Sequence, residues 1–332
     1  MILSIPLGLL KQIVLVVGAL LLFFSLTIIG IGRLGRLRRN LVNRLEEVYP
    51  YILLLAIVLA LNSFVRTRGE ILSWLLDWQV TGFIYSIEGD LVANLQAYLT
   101  GRFLTLPGIT QLTASIQEYT GVVPADQVIA FFSFVYVYGY VFLMVFPFVA
   151  YLAKDRMGSF RTLMLAYAFN YTIGVLCYVL FISYGPRNLL YPEVQSLMYE
   201  WWPRSQILTG EINSNTNVFP SLHSSIAATV ALLAYRTRDT YPAWLYISTP
   251  IALGVLVATM FLGIHWGVDV VAGVGLAVIS IALADKVTDE NGESAWLNRV
   301  AERAVMALDR RFQLTREWLS NLRSEETDSQ SR

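Results

Sequence analysis

Histidine and cysteine are nearly absent from this chain, with two and one respectively in 332 residues. The lone Cys177 has no intrachain partner, and no Cys-x-x-Cys or Cys/His spacing suggests zinc. Cysteine usage therefore says nothing about redox compartment. Charge is scarce too. Charged residues make up 14% of the chain, and 24 basic residues balance 24 acidic ones. A net charge of zero supplies none of the electrostatic attraction on which nucleic-acid binding depends, so no nucleic-acid partner is expected. No internal repeat is evident. What is abundant is apolar: 56% of residues are hydrophobic and the mean hydropathy is +0.56. Soluble domains average about 45–50%.

The apolar residues are gathered in blocks, and crossing hydrocarbon takes about 20 of them in a row. The first block, 7–31, is too long and uniform for a cleaved signal sequence, and no small-residue cleavage site follows it. The blocks predict transmembrane helices at 7–31, 50–65, 128–153, 162–184, 221–235, 243–264 and 266–284. The expected fold is an all-α, polytopic bundle of about seven helices with an outer interfacial segment. Four units follow: an N-terminal hairpin (1–65), the interfacial segment (66–127), a main helix bundle (128–285) and a tail (286–332). In the second unit Trp74, Leu75, Trp78, Phe83 and Tyr85 alternate with Asp77, Glu88 and Asp90, a pattern suited to the headgroup plane. The tail is weakly amphipathic up to Leu308 and reads as disordered from Ser324 onward.

Lys and Arg fix an orientation. Arg33, Arg36, Arg38, Arg39 and Arg44 follow the first helix, Lys154, Arg156 and Arg161 the third, and Arg236 and Arg238 the fifth. With seven crossings these fall on one side together with the tail, and that side is expected to be cytoplasmic. The expected location is the plasma membrane.

Both histidines, His223 and His265, fall at helix ends on the opposite side. His223 lies in Phe219-Pro220-Ser221-Leu222-His223-Ser224-Ser225. Pro then Ser before an apolar run reads as a helix start, and a helix N-terminus suits an anion such as phosphate. Ser221 and Ser224 in that turn are candidate substrate contacts. His265 and Asp269 are four apart, so on a helix they share a face. A carboxylate on one imidazole nitrogen fixes the tautomer and leaves the other as nucleophile or base. An Asp in an otherwise uncharged membrane helix points to function. Arg187, in Tyr184-Gly185-Pro186-Arg187, offers a planar fork to phosphate oxygens. Arg204 in the same loop is a second candidate, although a headgroup-facing arginine is its plainer reading.

Together, Pro-Ser-Leu-His, a His-x-x-x-Asp about forty residues later and a preceding Pro-Arg loop resemble the type 2 phosphatidic acid phosphatase superfamily. Phe-Pro-Ser-Leu-His in place of Pro-Ser-Gly-His is closer to its inositol phosphorylceramide synthase branch. The resemblance implies a phosphohistidine route: His265 attacks phosphorus, Asp269 orients it, and His223 protonates the leaving group. The substrate would be a lipid phosphate or phospholipid, with no metal or other cofactor. Two of the family's phosphate-binding cations are missing, because Ala258 and Thr259 stand where a Ser-Arg pair is usual and Leu180 stands where a Lys is usual.

Competing readings remain open at this point. The histidines could be ordinary interfacial residues, or with Asp269 could form a thin three-ligand metal set. Within the resemblance, hydrolysis competes with transfer. From another class, a transporter or scaffold would place polar groups near mid-bilayer in broken helices; here they gather at one end. The aromatic run Phe131–Tyr140 reads as helix packing, and Asn170 as a bond to a neighbouring helix.

Overall fold

The computed structural model describes residues 7–68, 78–102, 124–203, 206, 218–289, 293–303 and 306. Among them the only β-pairing is an isolated bridge between Gln79 and Ile182. The elements are α1 (Leu7–Phe24, continued by a π-turn, Ser25–Ile29), α2 (Ile31–Arg39), α3 (Leu41–Arg68), α4 (Thr81–Glu88) and α5 (Leu91–Ala97). Then come α6 (Pro124–Phe134), a π-turn (Val135–Gly139) leading into α7 (Tyr140–Leu152), α8 (Gly158–Leu180), α9 (Pro186–Leu189) and α10 (Leu197–Trp201). The last are α11 (Leu222–Arg236), α12 (Pro242–Phe261) and α13 (Gly267–Lys286).

Six stretches are long and apolar enough to cross a membrane: Gly8–Ile29, Leu41–Val65, Ala125–Leu152, Gly158–Leu180, Pro242–Phe261 and Gly267–Lys286. Their outer faces expose large apolar side chains such as Leu15, Leu22, Ile57, Leu253 and Val271. Water would not tolerate this pattern and lipid requires it. The chain is an all-α polytopic bundle. The remaining expected crossing is α11. Its 15 residues span about 22 Å, short of the ~30 Å hydrocarbon core. It runs through the buried centre of the bundle from the His223 end to the Arg236 end, with Ile226, Ala227 and Val230 at 0% exposure. The second helix begins at Leu41, earlier than expected, and carries Pro50 inside it.

Helices in lipid gain little from hydrophobic transfer, so close packing and polar links decide the fold. Leu222 fits against Gly174 of α8, where even a Cβ would meet it at 2.6 Å. Asn170 of α8 donates to Thr229 Oγ1 of α11 at 3.1 Å and receives the Ser225 hydroxyl. Phe146 packs on Trp244 with ring centroids 4.4 Å apart, in a core that includes Phe142, Tyr151 and Tyr167. At the end away from the histidines, Arg161 pairs with Glu47 of α3 at 2.7 Å and with Glu293 at 3.1 Å. There the Ser294 amide donates to Tyr51 Oη at 2.7 Å. The expectations for Trp74, Leu75, Asp77 and Ser324 onward lie outside the described residues.

Candidate active site

The start of α11 is held from three directions. Ser221 is its N-cap and accepts from the Ser224 amide at 3.3 Å and the Ser224 hydroxyl at 3.0 Å. The Ser221 amide donates to the Asp269 carbonyl at 3.0 Å, and Tyr178 of α8 donates to the Pro220 carbonyl at 3.0 Å. Gly273 makes the approach to α13 possible, since a Cβ there would lie 2.4 Å from the Ser221 carbonyl oxygen. Ser221 and Ser224 are both fully buried, so they shape the first turn and bond to each other. His223, half-buried, projects from that turn toward His265, with ring centroids 6.0 Å apart.

The chain between α12 and α13 reverses at Gly263, whose φ is +71°. This is left-handed backbone, which a Cβ disfavours. Thr259, on the last turn of α12, accepts at its carbonyl from both the Ile264 and His265 amides at 3.0 Å. The missing Ser-Arg pair thus falls at Ala258 and Thr259, both buried, and Thr259 serves the turn through its backbone. His265 is 1% exposed and Asp269 is 0% exposed. Asp269 Oδ2 accepts from the Trp266 amide at 2.9 Å, capping α13, and stands 3.6 Å from His265 Nδ1. That is longer than a normal hydrogen bond. Burial pushes the His265 imidazole down to about 3; the Val218 carbonyl opposes this shift and the Arg187 charge adds to it. At neutral pH His265 is therefore uncharged, with a nitrogen lone pair available.

Arg187 begins the third side. Its amide donates to the Gly263 carbonyl at 3.1 Å, which joins the Pro-Arg loop to the His265 turn. Its guanidinium donates to Tyr199 Oη at 3.0 Å and lies 4.5 Å over the Tyr199 ring. Arg204 lies outside the described residues. Among the described residues no group of three or more His, Cys, Asp or Glu side chains could hold a metal ion.

Several contributors escaped the sequence reading. Tyr136 and Tyr140 pack their rings on His223 at 4.9 and 4.7 Å, so part of the aromatic run lines the site. They are four residues apart, straddling the end of the π-turn Val135–Gly139. A widened turn beside a functional site is a recurrent device. Tyr199, Glu88 and Gln96 were also not singled out as site contributors. Nothing local marks them, because their contacts to the site are made across the fold.

The geometry places two histidines, a carboxylate and an arginine together at one end of a membrane bundle. No curated protein and no solved structure matches the chain. A family model described as PAP2 superfamily matches residues 111–283, more than half of the sequence, and contains His223, His265, Asp269 and Arg187. The members of this superfamily are lipid phosphatases and phosphotransferases, and the chain belongs to it as an integral membrane enzyme of that type.

Proposed function

We propose that the protein moves a phosphorylated, inositol-phosphate-like headgroup from one lipid to another through a phosphohistidine at His265. The observation that carries this reading is the pairing of His223 and His265, from different helices, with rings 6.0 Å apart. In the first step a His265 nitrogen attacks phosphorus as the bond from phosphorus to the lipid oxygen breaks. His223 gives that oxygen its proton, and a neutral lipid alcohol leaves. In the second step His223 takes the proton of an acceptor hydroxyl, whose oxygen attacks phosphorus. The P–N bond breaks, restoring His265. Water as acceptor would release the phosphorylated headgroup instead, and with a lipid phosphomonoester as donor the same two steps would be a phosphatase reaction.

Each environment suits its role. A buried, uncharged imidazole is a competent nucleophile. Asp269 orients it from the Nδ1 side, and the 3.6 Å separation belongs to a resting site, where catalytic hydrogen bonds are often long. The Tyr136 and Tyr140 rings pack on His223 and hold it beside His265. Arg187 supports the equatorial oxygens, since phosphoryl transfer depends mainly on positioning and charge stabilisation. Ser221 and Ser224 are proposed to act by fixing the turn that carries His223, since their amides are bonded to the Asp269 carbonyl and to Ser221 Oγ. Arg204 is proposed as a further phosphate contact.

The site is proposed to face outward at the plasma membrane, with the tail cytoplasmic. Supporting this, Arg33, Lys154, Arg156, Arg161 and Arg236 line one charged cavity of about 770 Å³, as basic residues on a cytoplasmic side should. The test is purified protein given a labelled phospholipid donor, with and without lipid alcohol acceptors, and the products separated. Label is expected in a new lipid only when acceptor is present. Release of the phosphorylated headgroup into water regardless of acceptor would replace transfer with hydrolysis. Turnover of neither kind would remove the reading.

A further inference from the structure

The α4–α5 pair lies outside the residues matched by the family model, yet it grips the catalytic turn from both sides. Gln96 of α5 is 5% exposed. Its Nε2 donates to the Phe261 carbonyl at 2.9 Å and the Gln195 carbonyl at 3.0 Å, and its Oε1 accepts from the Gln195 amide at 3.0 Å. One side chain thus joins the end of α12, four residues before His265, to the loop that follows Arg187. Beyond His265, Glu88 of α4 accepts from the Val268 amide at 2.9 Å, satisfying one of the first-turn donors that α13 cannot satisfy itself. Its other oxygen, Oε1, is shielded from solvent without a hydrogen-bond partner. Thr81 adds a third link: it accepts from the Tyr184 amide at 3.0 Å, and the Tyr184 carbonyl accepts from Trp266 Nε1 at 2.8 Å.

We propose that Gln96 and Glu88 are positioning residues, making α4–α5 an active-site element that sets His265 relative to Arg187 through the 261–268 turn. The inference rests on the proposed function, because it requires both side chains to act on one phosphoryl group. A surface cap would touch the bundle anywhere. These bonds fall at Phe261, Trp266 (through Tyr184) and Val268, bracketing the nucleophile. A displacement of about 1 Å at a reacting group lowers rate about 100-fold, so loosening this bracket should slow chemistry without weakening substrate binding.

The experiment compares Gln96→Met, Glu88→Ala, Glu88→Gln and His265→Ala with the wild type in the purified full chain. It is run well below each unfolding temperature and reads kcat, KM and the rate of phosphoenzyme formation. Gln96→Met and Glu88→Ala should each lower kcat and phosphoenzyme formation together by about 10- to 100-fold, with KM within about threefold. Glu88→Gln keeps an acceptor for Val268 and should recover most of the rate. Folded Gln96→Met with kcat and phosphoenzyme formation near wild type would overturn the proposal, and so would Glu88→Gln as slow as Glu88→Ala. If Gln96→Met does not fold, the Glu88 pair decides alone. Turnover retained in His265→Ala would remove the function and this inference together. A dead His265→Ala beside unimpaired Gln96 and Glu88 variants would remove only the inference.

Discussion

The two histidines differ in every respect that matters to their proposed roles. His265 is enclosed and uncharged; His223 is half-buried against two tyrosine rings. His265→Ala should leave less than about one-hundredth of wild-type turnover, on any substrate. His223→Ala should be partly relieved by p-nitrophenyl phosphate, provided the wild type accepts it, because a phenolate leaves without a proton. Rescue of His265→Ala and not His223→Ala would reverse the assignment. Asp269→Asn can still accept from the Trp266 amide but sets an amide where the carboxyl faced Nδ1, and kcat should fall about 10³- to 10⁴-fold with the fold retained. Stability supplies an independent check on His265. Its folded value, about 3, is below the ordinary 6.5. The unfolded state therefore binds more protons between those limits, and stability falls as pH drops through that window and is whole above it. The slope approaches about 1.4 kcal/mol per pH unit. Unfolding temperature in detergent should fall less steeply from pH 7 to 4.5 for His265→Gln than for wild type; parallel curves would contradict the buried neutral imidazole.

The close approach of α11 and α13 through Gly273 gives a test at the level of elements. Alanine there would drive a Cβ to 2.4 Å from the Ser221 carbonyl, whereas at Gly275, on the same helix, nothing lies within 4 Å. Gly273→Ala should destabilise by about 1–3 kcal/mol and separate the histidines, with activity lost. Gly275→Ala should be neutral or stabilise by up to about 1 kcal/mol. Thermal unfolding and turnover of the two variants check this, and equal behaviour would contradict the packing argument. What sequence could disclose at this scale follows from range. Apolar blocks are local, so the long helices are legible, although Pro50, which reads as a boundary, lies within α3. His265, Asp269, Ser221 and His223 sit in short motifs and could be read together. Gln96 meets Phe261 across 165 residues of chain and Glu88 meets Val268 across 180. No periodicity or motif encodes such a meeting. The same holds for Tyr136 and Tyr140, indistinguishable in sequence from neighbours that only pack.

For the whole molecule, the account places chemistry at one membrane face and the basic residues at the other. Arg161 and Arg236 are paired with Glu47, Glu293 and Asp285 there, so that end is both charged and tied. In a variant lacking Cys177, an impermeant thiol reagent added to intact cells should label cysteine at Asn188 or Glu193 and fail at Arg38. The reverse pattern would put the site in the cytoplasm. The proposed covalent transfer passes through an intermediate that can be sought directly. Purified enzyme is mixed with a phosphorus-labelled phospholipid, quenched within a turnover, digested and mapped by mass. The expected result is one label, alkali-stable and acid-labile, on His265, absent from His265→Ala and discharged by an acceptor alcohol. Turnover with no labelled protein, or label on any other residue, would contradict the mechanism.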